Sequence, residues 1–150
     1  IKLLGRMNAQ IAENKEIILG KAQLVYKGKE VAILSVGAMA ETALLVKELL
    51  QEEGIDATVV NARFVKPFDK ELIKELAKEH KTIVTIEENV RTGGFGQMVG
   101  SFLLEEGLGN VRFIPIALPD SFIEHGSVEL LREKYGLNAK SIADKILNNR

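Results

Sequence analysis

In TIEENVRTGGFG, residues 85–96, two carboxylates stand directly before a loop that holds Gly93, Gly94 and Gly96. A glycine-rich turn between a strand and a helix is a common phosphate cradle in open α/β sheets, because the backbone N–H groups at the helix start face the anion. Gly94-x-Gly96 with Gly100 is a loose match to a dinucleotide fingerprint. Three features oppose that chemistry. The loop is long, it follows the third apolar strand rather than the first, and no acid ends a following strand to hold a ribose. Glu87 and Glu88 at the loop mouth would also repel a diphosphate. The competing reading is conformational: the glycines permit positive φ and a close helix start. Glu87 and Glu88 are adjacent, so on a strand they project to opposite faces and make a poor acid/base pair. Either one of them accepts hydrogen bonds from the glycine-loop amides, or both form a solvated strand terminus.

Other reactive side chains are sparse. His125, in LPDSFIEHGS, lies beside Glu124 in a loop, where an imidazole titrates near neutrality. No serine or second histidine is placed to complete a nucleophilic relay, so His125 reads as a contact or loop-ordering residue. His80 sits at a helix end, where the dipole accounts for it. Arg63 and Lys66, in NARFVKPFD, stand at a strand end. Their readings are an anion site or a salt bridge to Glu87, Glu88 or Asp120. Two distant histidines and no clustered acids give no metal-ligand geometry. There is no cysteine, which excludes disulfides, thiolate catalysis and Cys-type metal sites.

These residues hang on a regular alternation. VAILSV (31–36), ATVVNA (57–62), KTIVTIEE (81–88) and VRFIPIA (111–117) are apolar runs that read as strands, the first two as buried strands. Pro115, late in the last of them, points to a strand near an edge or to the strand's end. Between them lie helix patterns. ETALLVKELLQEEG (41–54) has Leu45, Val46, Leu49 and Leu50 on one side and Lys47, Glu48, Gln51 and Glu52 on the other. Asp69 caps DKELIKELAKEH, with a stripe of Leu72, Ile73, Leu76 and Ala77. QMVGSFLLEE (97–106) carries Met98, Val99, Phe102 and Leu103. Ser127 caps VELLREKY, and KSIADKILNN closes the chain. Alternating strands and helices predict a parallel sheet covered on both faces. AQLVY (22–26) is separated from VAILSV only by KGKE, a spacing that allows an extra antiparallel edge strand. Residues 1–20 read as an arm or linker, partly disordered, and residues 21–150 as one domain.

Composition excludes several partners. Of 150 residues, 46% are hydrophobic and 27% charged, which predicts a soluble globular chain. A formal net charge of −1 and no basic tract point away from nucleic acid and anionic membranes. Six Phe, two Tyr and no Trp provide few base-stacking platforms. The apolar runs are strand-length, short of the ~20 residues of a membrane helix. With nothing resembling a signal peptide, a cytoplasmic location is expected.

Taken together, NARFVKPFD (61–69), TIEENVRTGGFG (85–96) and LPDSFIEHGS (118–127) resemble three signature stretches of the C-terminal domain of the 1-deoxy-D-xylulose-5-phosphate synthases, thiamine-diphosphate enzymes of the transketolase superfamily. GKAQLVYKGKEVAILSVG (20–37) and the ending REKYGLNAKSIADKI are also similar, so the resemblance covers about residues 20–149 in order. It implies a three-layer α/β/α domain with a mixed five-stranded sheet, the first strand antiparallel. It further implies that the full-length enzyme condenses pyruvate with glyceraldehyde 3-phosphate, releases carbon dioxide, and feeds isoprenoid, thiamine and pyridoxal synthesis.

The resemblance also implies where the chemistry is not. Thiamine diphosphate and magnesium lie between two preceding domains of the family, whose Gly-Asp-Gly…Asn motif is not found here. No residue of this chain is then catalytic, cofactor-binding or metal-binding. The chain is expected to be inactive alone and to serve as a scaffold and homodimer-interface domain, with the preceding catalytic domains as its partners. Its contact candidates are Arg63, Glu87, Glu88, Gly93, Gly94, Gly96, Asp120 and His125. Relatives enter the domain through a Tyr-Pro-Arg-Gly-like stretch whose arginine helps hold the substrate phosphate. IKLLGRMNA (1–9) does not match it, and Arg6 is not carried over. Phe68 and Phe95 stand where smaller or aliphatic residues are commoner. Outside the synthases, the alternatives are a free-standing α/β domain binding a nucleotide or other anion at the strand ends, or the equivalent domain of a transketolase or a 2-oxo acid dehydrogenase β subunit.

Overall fold

The computed structural model describes residues 16–149. The Arg6 stretch and most of the predicted arm lie outside the described residues. Five strands form one sheet: β1 (Gln23–Tyr26), β2 (Val31–Ser35), β3 (Ala57–Asn61), β4 (Thr82–Val90) and β5 (Arg112–Leu118), in the order β1-β3-β2-β4-β5. β2, β3, β4 and β5 pair in parallel and β1 pairs antiparallel with β3. β1 is the antiparallel edge strand that the KGKE spacing allows; because β2 is flanked by β3 and β4, it takes the free edge of β3 rather than pairing with its neighbour in sequence.

Side chains of successive strand residues alternate between faces, and each face has its own helical layer. On one side Val31, Ile33, Val59, Val84 and Ile86 pack against α1 (Met39–Glu52) and α5 (Ala139–Asn148). On the other, Ala32, Leu34, Val60 and Ile83 meet α2 (Lys70–Glu79) and α3 (Phe95–Glu105), through Ile73, Leu76, Phe95, Val99 and Phe102. Phe95 is fully buried in this second layer, and Phe68 packs edge-on to both Phe95 and Phe102. A short helix, α4 (Val128–Lys134), buries no side chain.

Three helix starts follow the capping rules. Asp69 accepts from the Leu72 N–H, Ser127 from the Leu130 N–H, and Asn138 from the Ser141 N–H. One helix face departs from its pattern. Lys47, on the side predicted to be polar, is buried, whereas Leu45 and Leu49 are only partly covered. The Lys47 ammonium lies 4.1 Å from the centre of the Tyr26 ring and bonds the Gln51 amide oxygen and the Glu48 carboxylate. Its stem crosses apolar surface while its head keeps polar partners.

Candidate functional site

The strand alternation decides what the two acids do. Ile83 faces the α2/α3 layer, and Glu87, four residues on, faces the same way beneath the start of α3. It is 3% exposed. Its Oε2 accepts the Phe95 N–H at 2.8 Å and its Oε1 accepts the Gly96 N–H at 2.8 Å. These are two of the four N–H groups that a helix leaves unsatisfied at its start. A carboxylate there is favoured by the charge-assisted bonds and by the helix dipole.

Glycine is demanded here mainly by space. Of the three loop glycines only Gly93 has a positive φ, 76°. A Cβ on Gly94 would stand 2.5 Å from the Val90 carbonyl oxygen and 2.7 Å from each Glu87 carboxylate oxygen. One on Gly96 would meet Thr85 Oγ1 at 2.7 Å and Pro115 Cβ at 3.1 Å. The cradle is closed around the carboxylate. The loop is finished by the Gly93 N–H, which donates to Gln97 Oε1 at 2.5 Å.

This arrangement does not fit a diphosphate. The amides that would hold one are already bonded to a carboxylate of the same chain, and the repulsion expected from sequence is built into the loop. Thr85 Oγ1, one pleat deeper under Gly96, is buried with no hydrogen-bond partner among the described residues.

Glu88 points the other way. It is exposed and accepts from Arg132 Nε of α4 at 2.6 Å. The bond to Glu88 holds the guanidinium pKa above its ordinary range, against a smaller opposing effect of burial. Glu124 pairs with Lys134, also of α4. Asp120 and His125 lie exposed in the loop that joins β5 to α4.

Arg63 occupies the left-handed region at φ 59°, and its N–H donates to Asn61 Oδ1 at 3.1 Å. Its Nη2 reaches Gln23 Oε1 at 3.0 Å rather than any of the acids expected from sequence. In the same loop Asp69 does more than cap α2. Its Oδ2 accepts the Ala22 N–H at 3.1 Å and its Oδ1 meets Lys21 Nζ at 3.2 Å. Both residues therefore fasten the entry to β1 onto the loop after β3. The cap at Asp69 was legible in its position before ELIKEL; the bonds to residues 21–23 span 40 positions or more and left no local signal.

The topology gathers the candidates along one end of the sheet, the carboxyl ends of its parallel strands. Since Gln23 is opposite Asn61, the chain also enters β1 at this end. Glu88, Gly93, Asp120 and His125 are exposed there and Arg63 is half-buried, while Glu87, Gly94 and Gly96 lie beneath the surface and shape it. Exposed apolar side chains are concentrated in the same loops and entry segment: Ile17, Ile18, Leu19, Val65 and Phe122.

Comparison with known proteins agrees with this architecture. The family model for the transketolase C-terminal domain matches residues 20–142. The 1-deoxy-D-xylulose-5-phosphate synthase of Lachnoclostridium phytofermentans is 48% identical over 136 residues, which is 91% of this chain and 22% of that protein. The synthase of Dehalococcoides mccartyi is 44% identical over 135 residues, 89% of this chain and 21% of that protein. A solved structure described as a split gene transketolase, inactive beta4 tetramer, superposes with a TM-score of 0.84 at 32% identity, covering 92% of this chain and 45% of that one. The chain thus spans about a fifth of the length of these synthases. A five-stranded mixed sheet, two helical layers and a closed glycine cradle are the features of a chain that belongs to the transketolase C-terminal domain family.

Proposed function

We propose that residues 21–150 are the scaffold domain of a 1-deoxy-D-xylulose-5-phosphate synthase, with residues 1–20 as the arm leading into it. The thiamine-diphosphate chemistry that joins pyruvate to glyceraldehyde 3-phosphate is carried by other domains. In this reading the strand-end face, with Arg63, Glu88, Asp120 and His125, packs against those domains and extends a homodimer interface. The free-standing nucleotide- or anion-binding alternative is disfavoured by one observation, and the same observation carries the proposal. The Glu87 carboxylate holds the Phe95 and Gly96 amides, the one place where the loop would otherwise receive phosphate. The similarity to a tetramer of β chains supports association between copies.

Titration calorimetry of the chain with thiamine diphosphate and Mg²⁺ tests the reading. No saturable heat is expected, nor any turnover of pyruvate with glyceraldehyde 3-phosphate. Supplying the chain to a synthase that lacks its C-terminal domain is expected to restore both assembly and turnover. Saturable binding to the chain alone, or failure to associate with the truncated synthase, overturns the proposal.

A further inference from the structure

Helix α4 and the loop before it form the least supported part of the fold. A seven-residue helix cannot sustain itself on propensity, because nucleation is costly and short helices rely on tertiary packing. α4 buries no side chain. The Arg132–Glu88 ion pair ties it to the end of β4, while the Lys134–Glu124 ion pair and the long 3.4 Å cap, in which Ser127 Oγ accepts the Leu130 N–H, lie within the segment itself. Exposed pairs of this kind contribute little and are screened by salt.

The same segment carries three of the large apolar side chains left in water: Phe122 at 89% exposed, Leu130 at 64% and Val128 at 55%. An apolar group rimmed by charges at a strand end is the composition of a contact patch rather than of a free surface. Four-fifths of a related synthase lies outside the length this chain matches, and the chain enters β1 at the same end of the sheet as this patch.

Building on the scaffold reading, we propose that residues 119–134 are a docking strap. The Arg132–Glu88 pair presets its position, the Lys134–Glu124 pair braces the loop on the helix, and Phe122, Val128 and Leu130 are its contact groups. Its occupant is the neighbouring domain of a synthase-length polypeptide, and the strap becomes rigid only when that domain covers it.

Hydrogen exchange of residues 119–134 is the first test, compared between the chain and a synthase-length polypeptide ending in it. The amides of 119–134 are expected to exchange at least tenfold more slowly in the longer protein. Equal exchange in the two, with the longer protein assembled, overturns the strap and leaves the scaffold reading intact. The second test is the double substitution Phe122→Ser, Leu130→Ser in the chain supplied to the truncated synthase. Both side chains are exposed, so the thermal midpoint of the chain is expected to be unchanged while association weakens at least tenfold. Undiminished association of the double variant overturns the strap. If the unsubstituted chain does not associate with the truncated synthase at all, the scaffold reading fails and the strap fails with it.

Discussion

A buried carboxylate is tolerable only where donors replace its lost water, and Glu87 has two of them in the Phe95 and Gly96 amides. Glu87→Ala removes both acceptors and leaves two buried N–H groups unsatisfied, with an expected loss of about 2–4 kcal/mol in urea unfolding. Glu87→Gln keeps one acceptor oxygen and should lose less; equal losses for the two variants would show that the carboxylate is not the cap. Gly94→Val is a different kind of fault, because its Cβ meets the Val90 carbonyl and the carboxylate together. It is expected to impair assembly of a synthase-length enzyme. Normal assembly of that variant with only cofactor affinity reduced would contradict the scaffold role of the turn. The sequence could say that Glu87 and Glu88 part to opposite faces, since strand alternation requires it. It could not say which one lies under α3, because that depends on how the helix sits over the sheet. Nor could it separate a glycine needed for its φ, as Gly93 is, from glycines needed for space, as Gly94 and Gly96 are.

At the scale of elements, a buried relay joins three of them. His80 closes α2, and its Nδ1 donates to the Leu76 carbonyl at 3.0 Å, since a carbonyl can only accept. In the neutral ring Nε2 then accepts from the Thr58 hydroxyl at 2.7 Å, and that hydroxyl accepts the Gly28 N–H at 2.9 Å. The dipole argument made from the sequence accounts for the position of His80 but not for this link to β3 and the β1–β2 turn. Thr58→Val leaves both the Gly28 N–H and His80 Nε2 without a partner, and should cost about 1–3 kcal/mol in chemical denaturation. A second tie joins the entry of β1 to α2 through Lys21, Asp69 and Glu71. The Glu71 carboxyl is held below its usual 4.5, first by its own backbone N–H and then by the Lys21 ammonium. A depressed carboxyl contributes stability above its unfolded pKa and loses it as pH falls through the lower folded value. The thermal midpoint difference between the native chain and Lys21→Gln, small at pH 7, should therefore shrink as the pH falls from 4.5 through the lower folded value of Glu71; a difference that does not change over that range assigns it to the Asp69 bond or the Lys21 stem instead. The strands were legible because VAILSV and ATVVNA are continuous apolar runs between turn signals. The partner of β1 was not, because a four-residue connection favours the adjacent strand locally while the sheet order is set by which edges remain free.

On the scale of the whole molecule, the two ends of the sheet differ in character. The strand-end loops and the entry segment carry exposed Ile17, Ile18, Leu19, Val65 and Phe122, and α4 is tied to the end of β4 through Glu88. Leu104, 72% exposed, stands near the far end of α3, toward the amino ends of the strands. Leu104→Ser is expected to shift stability by less than about 0.5 kcal/mol and to leave association with a truncated synthase unchanged. Weakened association would move the contact surface to the opposite end. The α/β layering was legible in the alternation of patterns, and the family in three short stretches. The division of the molecule into two unlike ends was not, since it follows from the direction in which β1 enters. That direction has a practical side. The carbonyl of Asn149 accepts a hydrogen bond from Arg112 Nη1 at the start of β5, whereas Gln23 sits opposite Asn61 at the finish of β3. The first and last described residues therefore leave from opposite ends, separated by a five-residue strand of about 16 Å. A probe or surface tether attached behind Asn149 would leave the strand-end loops free to meet a partner, while the same attachment ahead of Ile17 would sit among them.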